Sequence, residues 1–218
     1  MLNLTLYPPA DQAYRILCLG AHSDDIEIGC GGTVLALLER HPNVTVRWVV
    51  FSSSEERARE ARESADAFLA RAGQKQVVVK SYRDGFFPFL GAQIKDDFEA
   101  LKQEFSPDLV LTHYRDDRHQ DHRLISDLTW NTFRNHLVLE YEIPKYDGDL
   151  GQPNFFVPLD ESVCLVKIRT LCQFFRSQRE KRWFDEQTFL AILRLRGMEA
   201  NSPTRYAEAF YCRKAVLR

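Results

Sequence analysis

The chain has 218 residues, of which 44% are apolar and 28% charged, and its formal net charge is -2. This length and composition fit one domain with a sizeable core, and the near-neutral charge gives no electrostatic support for a nucleic-acid partner. No apolar run is long enough to span a membrane, and we expect no targeting segment in the first residues. The five cysteines are scattered without Cys-x-x-Cys spacing, so we expect a cytoplasmic protein with reduced thiols.

The first element in chain order is the apolar run of residues 14–20, which predicts a buried strand. The sequence Ala-His-Ser-Asp-Asp-Ile-Glu-Ile-Gly-Cys-Gly-Gly-Thr follows it at residues 21–33, and helical spacing then covers residues 32–40. In an open parallel sheet this junction lies at the carboxyl ends of the strands, where ligands bind. An imidazole and two carboxylates concentrate negative charge there, so a cation is the natural compensation, with His22 and Asp25 as ligands.

The rest of the chain alternates strand-like and helix-like segments. Further strands are predicted at residues 44–51, 76–80, 108–112 and 137–143. Helices are predicted at residues 56–72, 92–105, 120–133, 163–175 and 184–195. An aromatic loop at residues 81–91 and a turn-rich loop at residues 146–154 are candidates for the pocket wall and for a lid. Right-handed crossovers between such elements predict a single-domain, Rossmann-like three-layer α/β sandwich with a mainly parallel sheet.

A second polar cluster follows the predicted strand at residues 108–112. It contains His119, Asp121 and His122. Loops at the carboxyl ends of two strands can converge above one sheet, and three protein ligands with an open position are typical of a catalytic zinc site. His22 and Asp25, with either His119 or His122, would supply that set, which favours a hydrolase.

Taken together, the motifs Ala-His-x-Asp-Asp-x-Glu-Ile-Gly-x-x-Gly-Thr and Asp-Arg-His-x-Asp-His resemble those of the zinc-dependent de-N-acetylases of the LmbE/PIG-L group. That group removes acetyl from N-acetylglucosamine-type sugars. The resemblance covers residues 14–136, and residues 206–210 are similar to the closing strand of the family. Ser23 and Gln120 stand where the family usually has proline, and no donor atom is lost by either change. The resemblance implies one deacetylase domain over residues 1–218, acting on an N-acetyl amino sugar or its conjugate.

The resemblance also implies a role for each polar residue of the two motifs. His22, Asp25 and His122 match the zinc ligands of the family, and Fe²⁺ is the other candidate ion. Asp24 matches the general base on the zinc-bound water. His119 matches the histidine that assists the tetrahedral intermediate and the leaving amine, with Asp121 holding its ring. Arg57 is the best match to a substrate-pocket arginine, and Arg59 and Arg62 are the alternatives if the register shifts.

Two other classes of protein remain open from the sequence. Two histidines and one carboxylate also form the triad of iron(II) oxygenases. A non-catalytic α/β nucleotide-binding module is the third possibility, although the glycines at residues 29–32 lack the Gly-x-Gly-x-x-Gly spacing. His113 is expected to be structural, and Glu27 to support a ligand from behind. The sequence leaves the acyl sugar and the oligomeric state open.

Overall fold

The computed structural model describes residues 8 and 12–216, so the expected lack of a targeting signal in the first nine residues falls mostly outside the described part. The strands are β1 (Tyr14–Gly20), β2 (Val44–Val50), β3 (Gln74–Val79), β4 (Leu109–His113), β5 (Leu137–Tyr141), β6 (Phe155–Leu159) and β7 (Tyr206–Cys212). The helices are α1 (Asp25–Arg40), α2 (Glu55–Phe68), α3 (Gly91–Glu104), α4 (Gln120–Thr132), α5 (Glu161–Phe174) and α6 (Glu186–Glu199).

One seven-stranded sheet forms the middle layer, in the order β3-β2-β1-β4-β5-β7-β6. The first five strands in that order are parallel, and β7 runs antiparallel to both of its neighbours. An apolar cluster on one face of the sheet includes residues of α1, α2, α5 and α6, and a second cluster on the other face includes residues of α3 and α4. The predicted three-layer α/β sandwich with a mainly parallel sheet is confirmed.

Helix α1 begins seven residues before its predicted start at residue 32. The helical spacing at residues 32–40 covers only its second part, and the glycines before that part lie inside the helix, where they permit close packing. A Cβ atom on Gly29 would lie 2.1 Å from the ring of Tyr141, and one on Gly32 would lie 2.5 Å from Leu159. Strand β6 was not predicted, since it is an edge strand that contains Pro158 and is only partly buried.

A buried ion pair fixes α1 against the layers around it. Glu208 on β7 accepts hydrogen bonds from the backbone N–H groups of Gly32 and Thr33, at 2.8 and 2.6 Å. Lys167 on α5 donates to Glu208 and to the carbonyl oxygen of Ile28, both at 2.6 Å. Both charged side chains are almost completely buried. Glu208 belongs to the segment that resembles the closing strand of the family. Through this residue, β7 is joined to α1, the helix of the first motif.

All five cysteines are free thiols. Within the described part of the chain, no helix combines the length and the hydropathy that a bilayer crossing requires.

Candidate active site

The two polar motifs meet at the point where the strand order of the sheet reverses. β1 lies between β2 and β4, so the chain builds outward from β1 in one direction and then crosses to β4 on the other side. The first motif follows β1, and the second follows β4. Ligands of open α/β sheets bind in the crevice that such a reversal leaves at the carboxyl ends of the strands. The topology therefore accounts for the meeting of residues about one hundred positions apart.

Three donor atoms form a compact triangle in this crevice. His22 Nδ1 lies 3.1 Å from His122 Nε2 and 3.3 Å from Asp25 Oδ2, and the third side, from His122 Nε2 to Asp25 Oδ2, is 3.5 Å. Zinc bonds of 2.0 to 2.1 Å in tetrahedral geometry require donor separations of about 3.3 to 3.4 Å. The spacing of this donor triangle therefore fits three ligands of one small divalent ion.

The second ring nitrogen of each histidine in the triangle faces carboxylates. His122 Nδ1 lies 2.9 Å from Asp117 Oδ2. His22 Nε2 lies 3.0 Å from Asp84 Oδ1 and 3.3 Å from Asp121 Oδ2. A metal-ligating histidine commonly donates its other N–H to a carboxylate, which fixes the orientation of the ring. Both rings therefore have the support that ligands need.

Asp24 lies beside the triangle and has one carboxylate oxygen to spare. Arg57 Nη2 donates to Asp24 Oδ1 at 2.6 Å. The other oxygen, Oδ2, is buried and has no hydrogen-bond partner among the described residues. Both residues line the same pocket. An oriented carboxylate with a free oxygen can accept a proton from a water molecule in that pocket.

The expected contact between the Asp121 carboxylate and the ring of His119 is replaced by other partners. Asp121 accepts hydrogen bonds from the backbone N–H groups of Gly85 and Phe87, at 2.7 and 3.1 Å, and also faces His22. The reason is that Asp121 lies in the first turn of α4, where its backbone N–H donates to the N-cap side chain, His119 Nδ1, at 3.3 Å. The Asp121 side chain instead reaches the loop after β3. His119 Nδ1 accepts this bond, so the proton of the neutral ring lies on Nε2.

The structure adds two residues to the site that the sequence did not place there. His113, expected to be structural, places Nε2 3.2 Å from Asp25 Oδ2 and accepts the N–H of Ala21 at 2.9 Å. Its position directly at the end of β4 was the available signal. Asp84 lies in the aromatic loop, where its contact with His22 depends on the fold of the loop and leaves no sequence pattern. Phe87 of the same loop, which was a candidate for the pocket wall, is instead fully buried in the core.

The charges of the cluster shift the pKa values of the histidine and aspartate side chains within it. Burial lowers the pKa of His22, but Asp25, Asp121 and Asp84 outweigh it and raise that pKa well above its usual value. Burial raises the pKa of Asp25, but His122, His113 and His22 outweigh it and hold that pKa well below its usual value. In the absence of a metal ion, a proton on His22 therefore compensates part of the negative charge.

The far wall of the pocket comes from two segments that carry neither motif. The loop after β5 contributes Tyr146 and Asp147, and the segment between α5 and α6 contributes Gln178, Lys181 and Trp183. These segments lie outside the part of the chain in which the two motifs occur. The two motifs therefore do not indicate which residues form this wall of the pocket.

A buried His/Asp cluster at the strand reversal of a mainly parallel sheet defines an α/β protein with a candidate metal centre. A family model described as PIG-L, GlcNAc-PI de-N-acetylase, matches residues 17–133, more than half of the chain. The chain belongs to this deacetylase family.

Individual relatives extend the comparison to most of the chain. The Escherichia coli K12 protein named uncharacterized deacetylase YaiS is 27% identical, over 78% of this chain and 96% of that protein. The N,N'-diacetylchitobiose deacetylase of Pyrococcus horikoshii is similar in structure, with a TM-score of 0.68, 22% identity, and coverage of 94% of this chain and 86% of that one. The 4-carboxy-2-hydroxymuconate hydratase GalB of Pseudomonas putida KT2440 has a TM-score of 0.69 and 17% identity, over 94% and 98% of the two chains. At these identities the structures establish the fold alone, and the activity must be argued from the site.

Proposed function

We propose that this protein is a metal-dependent amide hydrolase that removes acetyl from an N-acetylated amino sugar of the N-acetylglucosamine type, or from its conjugate. The observation that carries the proposal is the donor triangle of His22, Asp25 and His122 beside the free carboxylate oxygen of Asp24. Membership of the deacetylase family supports the reaction class. The proposed deacetylase domain covers residues 1–218, and its reduced thiols favour a cytoplasmic location.

The donor set favours Zn²⁺ as the ion, with Fe²⁺ as the alternative. His22, Asp25 and His122 offer two imidazole nitrogens and one carboxylate oxygen, a set used by catalytic zinc and also by iron(II). Such an ion, when bound, polarises the amide carbonyl and lowers the pKa of a coordinated water to about 7.

The residues around the ion divide the proton transfers between them. Asp24 Oδ2 accepts the proton of the attacking water, while Arg57 holds the other oxygen of the same carboxylate. His119 donates from Nε2 toward the developing oxyanion, since its Nδ1 accepts the N–H of Asp121. A C–O bond forms to the carbonyl carbon and the C–N bond breaks with its electron pair on nitrogen. The nitrogen takes up the proton that Asp24 accepted from the water, so the products are acetate and the free amine, and Asp24 is again ionised.

Acetate release tests the proposal. Metal-loaded protein is offered N-acetylglucosamine, N,N'-diacetylchitobiose and lipid-linked, nucleotide-linked or thiol-linked N-acetylglucosamine. The amounts of acetate and of free amine released are both measured, and hydrolysis requires them to be equal. We expect both products from at least one sugar with or without oxygen. Turnover that requires oxygen would identify an iron(II) oxygenase, and metal binding without acetate from any sugar would favour a binding module. A hydratase would also release no acetate.

Metal affinity is expected to fall as the pH falls. Because neighbouring carboxylates raise the pKa of His22, the metal-free site holds a proton on that ring at every pH below the raised value. An incoming ion must displace this proton, so the apparent affinity should change by about tenfold per pH unit in that range. Competition with a chelating dye between about pH 6 and 8 measures the slope. His136→Gln, at a histidine outside the donor triangle, should keep the same slope, and an affinity independent of pH would contradict the assignment of His22.

A further inference from the structure

We infer that Gln178 is a specificity-determining residue, which accepts a hydrogen bond from a ring hydroxyl of the amino sugar. This inference rests on the proposed function and concerns a segment outside both sequence motifs. Gln178 lies in the short turn between α5 and α6 and lines the same pocket as Asp24, Arg57 and His119.

The amide oxygen of Gln178 lacks a partner. The side chain is buried, with 4% of its surface exposed, and Oε1 makes no hydrogen bond to any described residue. A buried polar atom without a partner costs about 1 to 3 kcal/mol, so such atoms usually meet a ligand or a water molecule. In this pocket a donor on the ligand can take the place of a water molecule at Gln178 Oε1.

The orientation of the Gln178 amide is fixed from behind. Its Nε2 donates to Ser177 Oγ at 3.0 Å, and Ser177 Oγ donates to Glu60 Oε2 at 2.6 Å. The backbone N–H of Ser177 donates to the other oxygen of Glu60 at 2.9 Å. Glu60 lies one turn after Arg57 on α2. The helix that positions Arg57 beside Asp24 therefore also holds Gln178, and the amide nitrogen is the end that is already occupied.

A sugar hydroxyl is the donor that fits this acceptor. The oxygen of a carboxamide is neutral, so it has no need of a cationic partner, and a pyranose ring presents neutral O–H donors around the carbon that carries the acetamido group. A pocket with a fixed acceptor discriminates against an analogue that lacks the matching hydroxyl, because the acceptor is then left unpaired. Gln178 would thereby distinguish an N-acetyl sugar from simpler acetamides.

The test is a double-mutant cycle in which one change is made in the protein and the other in the sugar. The methyl β-glycoside of N-acetylglucosamine and its 3-, 4- and 6-deoxy analogues are assayed for kcat and KM with the wild type, Gln178→Leu and Gln178→Glu. Gln173→Leu serves as the matched control, since Gln173 is an exposed glutamine on α5 outside this pocket. Dissociation constants for the same sugars are measured by calorimetry in an Asp24→Asn background, so that the result does not depend on turnover.

We expect Gln178→Leu to raise KM and the dissociation constant of the parent sugar about tenfold. One deoxy analogue should lose about tenfold with the wild type and less than twofold with Gln178→Leu, while Gln178→Glu, which keeps an acceptor oxygen, still discriminates against it. The inference would be overturned if Gln178→Leu weakened the binding of the parent sugar and of all three deoxy analogues by the same factor. It would also be overturned if the parent sugar did not bind to the protein with Gln178 in place. Sugar binding with this coupling but without acetate release would instead contradict the proposed function alone.

Discussion

Replacing Asp24 with asparagine is expected to lower kcat by about a hundredfold to ten-thousandfold while the metal stays bound. The substitution keeps the shape of the side chain and its acceptor toward Arg57, but removes the basicity of the oxygen that has no other partner. Steady-state kinetics on the best sugar of the panel and elemental analysis of the purified protein provide the two measurements.

His22→Ala is the complementary variant, because it removes one corner of the donor triangle. We expect its bound metal to fall from one ion per chain to nearly none. Asp97→Asn is the control for Asp24→Asn, because it also removes the charge of a partly buried carboxylate. Asp97 pairs with Lys80 away from the pocket, so this variant should keep both kcat and metal. The assigned roles would be refuted by an Asp24→Asn variant with more than about a third of the wild-type kcat, or by full metal content in His22→Ala.

Replacing Glu208 with alanine is expected to destabilise the protein by about 3 to 5 kcal/mol, the usual cost of removing one partner of a buried ion pair. Removing one partner of a buried ion pair leaves the other charge uncompensated, here the ammonium group of Lys167. The change also deprives two backbone N–H groups of α1 of their acceptor. Urea unfolding of the metal-free protein measures the free energy without a contribution from the ion.

A double variant separates the buried charge from the rest of the effect. Lys167→Met with Glu208→Leu removes both charges, so it should be more stable than Glu208→Ala alone. Glu39→Ala removes one partner of an exposed pair with Arg71 and should stay within about 0.5 kcal/mol of the wild type. A loss below about 1 kcal/mol in Glu208→Ala would show that the buried pair does not fix α1.

The sequence predicted most of the sheet and the helices around it, because buried strands and amphipathic helices leave periodic patterns. It also predicted which polar residues lie at the strand reversal, since both motifs directly follow strands. The start of α1 was placed too late because a glycine that permits packing against Tyr141 looks the same in sequence as a glycine in a turn.

The contacts within the site depend on side-chain directions that periodicity does not encode. Asp121 was expected to contact His119, its neighbour in the motif, but it lies in the first turn of α4 and reaches the loop after β3. Gln178 comes from a segment without a recognisable pattern. Only the packing of α5 and α2 reveals that it belongs to the pocket.

The donor triangle combines two imidazole nitrogens with one carboxylate oxygen, and this mixture of donors does not by itself select one element. Copper(II) binds mixed nitrogen and oxygen donors more tightly than zinc or iron(II) do. Selection among these elements would then fall to their supply in the surroundings, and the metal found in a purified sample would record the growth medium as much as the protein.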